Sequence, residues 1–146
     1  MRPCLTQVAA IALTVAGCGG GDQFPVASTT GRVVCEGQPL PKARVFFEPL
    51  QTGDSARVGK QGLAIADADG RFVVSTYGAN DGAVVAKHRV RVDRPGDPDE
   101  QPPYRCPCVL NSELDVMEVD VKARQKNEFE VVLKKKTGQE KAPLHD

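Results

Sequence analysis

Hydrophobic and polar residues alternate with a period of two along most of the chain from residue 29 onward. This alternation is typical of β-strands that bury one face, and no stretch of helix length shows apolar residues at a 3.6-residue spacing. In the clearest case, residues 87–93, we expect His88, Val90 and Val92 to point inward. The pattern predicts strands at residues 30–35, 43–48, 63–66, 71–76, 87–93, 114–121 and 127–134. Seven short strands separated by turns predict an all-β, antiparallel β-sandwich.

The segments between the predicted strands contain turn and loop residues. Asp67-Ala68-Asp69-Gly70 predicts a tight turn, because aspartate side chains bond nearby backbone groups and glycine adopts positive φ without strain. Residues 94–111 contain five prolines, which cannot donate ladder hydrogen bonds, so this passage is expected to cross an end or edge of the sheet. A second loop is predicted at residues 77–85. Both loops are expected at one end of the sandwich, where ligand contacts are commonly placed.

The first seventeen residues have the composition of a signal peptide. Arg2 provides the positive charge, residues 5–16 form an apolar run too short to span a membrane, and small residues precede Cys18. Val15-Ala16-Gly17-Cys18 resembles a bacterial lipobox, in which the chain is cut before the cysteine and the cysteine is acylated, as with palmitate. The alternative is an ordinary secretory signal with a coincidental cysteine. The lipobox interpretation predicts a signal peptide at residues 1–17, a lipid on Cys18 and a flexible tether at residues 18–28.

Length and charge limit the classes of function. The chain has 146 residues, with 19 basic and 19 acidic side chains and a formal net charge of zero. Nucleic-acid binding needs a concentrated positive field, so this balance argues against it. The predicted domain at residues 29–134 is long enough for one hydrophobic core. Residues 135–146 are polar and are expected to form a disordered tail.

Cys4 lies in the predicted signal peptide and Cys18 is the predicted lipid site, so Cys35, Cys106 and Cys108 remain for the folded domain. One arrangement joins Cys35 to Cys106 or Cys108 and closes a span of about 70 residues, which a loop-entropy model values at roughly 4 kcal/mol. A second joins Cys106 to Cys108 across Pro107, and a third leaves the thiols free or bound to a metal ion. The sequence leaves these arrangements open.

A series of short motifs runs in order through the predicted domain. They are Thr-Gly-Arg-Val at residues 30–33, Gly-Gln-Pro-Leu-Pro-Lys-Ala-Arg-Val-Phe-Phe-Glu-Pro at 37–49, Ala-Asp-Ala-Asp-Gly-Arg-Phe at 66–72, Asp-Gly-Ala at 81–83 and His-Arg-Val-Arg-Val at 88–92. Together they resemble the carboxypeptidase regulatory-like, or transthyretin-like, domain of small bacterial envelope lipoproteins. The resemblance implies a seven-stranded, Ig-like or prealbumin-like β-sandwich. It implies no peptidase activity, because the module is a non-catalytic appendage in the carboxypeptidases.

Candidate sites for metal ions and for catalysis are incomplete in the sequence. Residues 67–70 could begin a calcium loop, but position 65 is Ile and position 76 is Thr, where such a loop needs acidic ligands. Cys106 and Cys108 with His88 or His145 fall short of a four-ligand set for Zn²⁺ or Cu⁺. No Gly-x-Ser-x-Gly element occurs, and one histidine lies in the predicted domain. We therefore expect no catalytic residues, no cofactor and no metal site.

The sequence predicts a lipoprotein of the cell envelope, attached to a membrane through Cys18, that acts as a non-catalytic binding or structural module. Its partner would be an envelope protein or a polysaccharide. The outward row of Lys87, Arg89 and Arg91, together with Arg44 and Glu48, is either a recognition face for an acidic polysaccharide or peptide or a solvated, charged outer face. The alternative function is a periplasmic thiol or metal carrier that uses Cys106 and Cys108.

Overall fold

The computed structural model describes residues 23–51, 56–93, 106–110 and 117–138, and in these residues the chain is all-β. The strands are β1 (Val26–Ala27), β2 (Thr29–Cys35), β3 (Gln38–Pro39), β4 (Arg44–Pro49), β5 (Gly62–Ile65), β6 (Arg71–Val73), β7 (Ala83–Val84), β8 (Lys87–Asp93), β9 (Met117–Asp120) and β10 (Asn127–Leu133). Seven of them overlap the seven predicted strands, and β8 has the predicted bounds; residues 114–116 of the sixth predicted strand lie outside the described residues. Among the described residues, no helix has the length and apolar character needed to cross a membrane.

Two four-stranded sheets and one short ribbon make up the described chain. In the first sheet β2 is central, with β10 on one side and β6 and β3 on the other. The second sheet has the order β5-β4-β8-β9 and is antiparallel throughout. The ribbon pairs β1 with β7. The prediction of a wholly antiparallel arrangement is wrong at one place, because β2 and β10 run parallel from Thr29 opposite Asn127 to Cys35 opposite Leu133.

The two sheets meet through one hydrophobic core, which is consistent with a β-sandwich. Phe47 of the second sheet is fully buried, and its ring centre lies 6.0 Å from that of Phe72 and 6.1 Å from that of Phe129, both in the first sheet. Gly31 of β2 leaves room for this arrangement, because a Cβ there would collide with the Phe72 ring and the Phe129 carbonyl oxygen. In both sheets, valines and small residues occupy the inward-facing positions and fill the rest of the core.

The structure has short β-elements within the segments predicted as tether, loop and tail. The tether was expected to reach residue 28, but Val26–Ala27 forms β1 and pairs with β7, which itself lies in the loop predicted at residues 77–85. The polar tail was expected from residue 135, but Lys135 forms an antiparallel bridge with Cys108. These additions are strands of two residues or single bridges, which are too short to show a hydrophobic period.

Candidate functional site

The cysteines of the domain lie together at one end of the first sheet. Cys35 ends β2 and is joined to Cys108 by a disulfide, with 5.9 Å between their Cα atoms. Cys106 is a free thiol and is buried. Its Sγ atom accepts a hydrogen bond from the backbone N–H of Cys108 over 3.4 Å. Of the three arrangements that the sequence left open, the structure therefore has the Cys35 bridge, and its partner is Cys108; Cys35, Cys106 and Cys108 are called the three-cysteine cluster below.

Backbone hydrogen bonds position the segment that supplies two of these cysteines. The N–H of Val109 donates to the carbonyl oxygen of Lys134, and the N–H of Lys136 donates to that of Pro107. Residues 107–109 thereby continue the first sheet beyond the end of β10. On the surface beside the disulfide, Lys135 Nζ lies 2.8 Å from Glu36 Oε1. The hydrogen bond and the charge of Glu36 raise the pKa of Lys135, although the exposure of both side chains to solvent keeps this ion pair weak.

The geometry of the three-cysteine cluster is relevant to the alternative function, a thiol or metal carrier that uses Cys106 and Cys108. Cys108 is committed to the disulfide, so Cys106 and Cys108 do not form a free dithiol in this structure. Within the described ranges, no group of three or more His, Cys, Asp or Glu side chains could hold a metal ion. His88 lies in the core of the second sheet, and His145 lies outside the described residues.

His88 is fully buried in the inward row of β8, as predicted. Its Nδ1 atom lies 3.0 Å from the carbonyl oxygen of Ala86, which can only accept, so Nδ1 carries the proton. Its ring meets that of Phe47 edge-on, with centres 5.9 Å apart. The Nε2 atom has no hydrogen-bond partner among the described residues. Burial lowers the pKa of His88, and this outweighs the hydrogen bond to Ala86 and the charge of Asp120, which both raise it.

Folding stability should therefore decrease as the pH falls below 6.5, the ordinary histidine pKa. Below that pH, His88 binds a proton in the unfolded chain but stays neutral in the folded protein. The free energy of unfolding therefore falls by up to about 1.4 kcal/mol for each pH unit. Urea unfolding between pH 7.5 and 5.5 measures the slope. The slope should flatten in His88→Leu and persist in His145→Ala. Equal slopes in the wild type and His88→Leu would contradict this assignment.

The outward face of the second sheet matches basic with acidic side chains. Arg89 of β8 stands between Glu48 of β4 and Glu118 of β9 in the strand register. Lys87 is opposite Asp120, and Arg44 is opposite Asp93. Arg91 donates to Glu48 Oε1 over 3.0 Å and 2.8 Å, and its guanidinium lies 4.8 Å from the centre of the Phe46 ring. Each of these basic side chains thus has a carboxylate beside it. This pairing favours the interpretation of a solvated, charged outer face over that of a recognition site for acidic ligands.

The two aspartate-containing turns use their carboxylates internally. Asp67 Oδ1 accepts hydrogen bonds from the backbone N–H groups of Asp69 and Arg71, each over 2.9 Å, and Gly70 has a φ of 72°. Residues 67–70 therefore form the predicted turn. In the following loop, the Asp81 carboxylate accepts hydrogen bonds from three backbone N–H groups, those of Thr76, Tyr77 and Gly78. Burial raises the pKa of Asp81, but these hydrogen bonds outweigh it and lower the pKa overall.

An open groove lies where two edge strands separate. Leu63 of β5 and Ser75 exchange two backbone hydrogen bonds of 2.9 Å, which form an isolated antiparallel bridge. Continuing this register would place Ile65 opposite Val73 of β6, but no bridge joins them in the described chain. A groove of about 1160 Å³ opens at this point. We call it the β5–β6 groove.

Aliphatic and polar side chains together line the β5–β6 groove. Ile65 is 65 % exposed, Val73 44 % and Leu63 42 %, so three aliphatic side chains face solvent in one place. The half-buried Phe46 also lines the groove, as do polar residues that include Lys60, Arg71 and Glu128. The groove was not predicted from the sequence. The available signal was Leu63-Ala64-Ile65, in which the small residue points inward and the two large ones outward.

No protein-family model, curated protein or solved structure matches the chain. The resemblance to the carboxypeptidase regulatory-like domain therefore stays a prediction. The predicted signal peptide, Cys18 and most of the predicted tether lie outside the described residues, as do residues 94–105 of the proline-rich passage.

Proposed function

We propose that the protein is an envelope lipoprotein held at a membrane by lipid on Cys18, with a non-catalytic β-sandwich domain outside the cytoplasm that works by binding. The observation that carries the location is the disulfide between Cys35 and Cys108, because structural disulfides persist in oxidising compartments. The lipobox-like Val15-Ala16-Gly17-Cys18 supports the same location from the other end of the chain. A seven-stranded, prealbumin-like topology of the carboxypeptidase regulatory-like type belongs to this proposal.

The β5–β6 groove is the proposed binding surface, and its occupant is an extended segment of an envelope protein. β5 and β6 are both edge strands in the described chain, and edge strands present backbone donors and acceptors to an incoming strand. Alternate aliphatic side chains along β5, Leu63 and Ile65, provide the apolar contacts that such an added strand needs. The three exposed aliphatic side chains favour an apolar peptide segment over a polysaccharide as the occupant.

Intact-mass measurement of the protein extracted from membranes tests the anchor. We expect a chain that begins at Cys18 and carries acyl groups, and we expect Cys18→Ser to leave the membrane fraction. Several buried acyl chains hold a protein durably, at about 0.8 kcal/mol per CH₂ group, whereas loss of all of them leaves no anchor. Cys4→Ser is the matched control, because Cys4 is predicted to be removed with the signal peptide. A soluble chain that still begins at Met1 would refute the anchor.

Site-specific photocrosslinking in intact cells tests the binding surface. A photoreactive residue at Ile65 should form adducts with an envelope protein, whereas one at Val132 should not. Val132 is a matched control, since it is an aliphatic residue of β10 that is 58 % exposed and absent from the groove lining. Equal adducts at both positions, or none at Ile65, would refute the groove. If glycosidases but not proteases removed the crosslinked partner, the occupant of the groove would be a polysaccharide.

A further inference from the structure

The three-cysteine cluster contains one more sulfur than its disulfide uses. Cys106 and Cys108 are both buried in the same core as Cys35, whereas Pro107 between them is exposed. The two side chains therefore enter the core from the same side of residues 106–110, which are called the segment below. The contact of Cys106 Sγ with the backbone N–H of Cys108 places the free thiol directly beside the bridged residue. Two cysteine side chains of residues 106–110 therefore lie in the core that also contains Cys35.

We propose that Cys106 is an internal nucleophile that exchanges with the Cys35–Cys108 disulfide, so that Cys35 is bonded to Cys108 in one state and to Cys106 in the other. The exchange is independent of the membrane anchor and of the β5–β6 groove. It needs only the three sulfur atoms that the domain already holds.

The reaction is a thiol–disulfide exchange with no net oxidation. The thiol of Cys106 loses its proton to water, and the thiolate attacks Sγ of Cys35. A bond forms between Cys106 and Cys35 while the bond between Cys35 and Cys108 breaks. Cys108 leaves as a thiolate and takes up a proton. One thiol and one disulfide are present before and after, so no external oxidant or reductant is consumed.

Loop closure favours attack on Cys35 over attack on Cys108. Attack on Cys108 would join two residues that are only two positions apart and would release β2 from the segment. A Cys35–Cys106 bond would instead close a loop only two residues shorter than the present one, whose cysteines are 73 residues apart. The entropy of loop closure would therefore change very little. Both permitted states therefore tie the segment to the end of β2.

The segment does not depend on the disulfide alone for its position. The backbone hydrogen bonds from Val109 to Lys134 and from Lys136 to Pro107 remain when the sulfur–sulfur bond breaks. The ion pair of Glu36 with Lys135 also remains. These contacts keep Cys106 and Cys108 near Cys35 during the exchange, which makes the return reaction intramolecular and fast compared with reaction at a distant thiol.

Trapping the free thiol in the full-length, folded protein tests the exchange. The protein is held at pH 8.5 without added thiol, pulsed with N-ethylmaleimide, quenched in acid and mapped by fragment ions that separate Cys106 from Cys108. We expect label on Cys108 as well as on Cys106, and more label on Cys108 after incubation at pH 8.5 than at pH 5, because only the thiolate attacks. Label confined to Cys106 after prolonged incubation at pH 8.5 would overturn the proposal.

Two variants provide an independent measurement. Cys108→Ser should form a disulfide between Cys35 and Cys106 in at least half of the molecules, and the linked peptides identify it without ambiguity. Cys106→Ser is the control, since it keeps the Cys35–Cys108 bond and shows no label at Cys108 at either pH. Free Cys35 and Cys106 in Cys108→Ser, under conditions that leave the wild-type bond intact, would overturn the proposal.

Discussion

Replacing Phe47 with alanine is expected to lower the free energy of unfolding by about 3–5 kcal/mol, the usual cost of removing a buried phenylalanine ring. Phe47 is fully buried and contacts Phe72 and Phe129 of the opposite sheet and His88 of the neighbouring strand. Its loss would leave a cavity bordered by both sheets. Three separate rings would lose contacts, and the rigid strands around them limit collapse of the site.

Urea unfolding followed by far-ultraviolet circular dichroism measures this effect, because the chain contains no tryptophan. Phe46→Ala is the matched control. Phe46 is the adjacent ring on the outer face of the same strand, and it is only half-buried under the Arg91 guanidinium. Its removal should cost less than about 2 kcal/mol, since a cation–π contact at a partly exposed site contributes about 0.5–1 kcal/mol. Equal losses for the two variants would contradict the central position of Phe47 in the core.

The difference between these two neighbouring residues could be predicted from the sequence in part. Alternation places Phe46 and Phe47 on opposite faces of a strand, and the phase set by Ala43 and Val45 puts Phe47 inside. The clustering of Phe47 with Phe72 and Phe129 could not be predicted. It depends on which strands face each other across the core and on Gly31, whose lack of a side chain leaves room for the Phe72 ring.

Long-range pairing was the least predictable part of the fold. The period of two predicts that residues 30–35 and 127–134 are strands, but it carries no information about their relative direction. The parallel pairing of β2 with β10 joins residues almost a hundred positions apart and depends on the path of everything between them. The two-residue strands β1, β3 and β7 were missed for a different reason, because a hydrophobic period cannot be measured over two residues.

The candidate sites differ in how far local sequence determines them. The Asp67 turn was predictable because its hydrogen bonds lie within four residues. The charge matching around Arg89 was not, since its acidic neighbours come from two other strands. The β5–β6 groove depends on the place where β5 and β6 separate, which no short motif encodes. The choice between Cys106 and Cys108 as partner of Cys35 was open for a physical reason, because both enter the core from one side of the segment.

Cys35→Ser should be the most damaging substitution in the three-cysteine cluster. It leaves neither Cys106 nor Cys108 with a partner in β2, and it releases a closure of 73 residues. The chain-entropy model values such a closure at about 4 kcal/mol, so the urea midpoint should fall steeply. Wild-type protein unfolded in the presence of a reductant should show the same loss, because reduction breaks the same bond without changing a side chain.

Cys108→Ser should lose less than half as much as Cys35→Ser, since Cys106 can close the span in its place. Cys106→Ser keeps the observed bond and should stay within about 1 kcal/mol of the wild type, the range of a small change at a buried site. Equal, large losses in Cys35→Ser and Cys108→Ser would mean that only Cys108 can reach Cys35. A wild-type midpoint for Cys35→Ser would mean that the disulfide contributes nothing to stability. Only Cys35 takes part in both disulfides, so the urea midpoint of Cys35→Ser reports the stabilisation that comes from loop closure. The difference between the midpoints of Cys108→Ser and Cys35→Ser then reports whether Cys106 can replace Cys108.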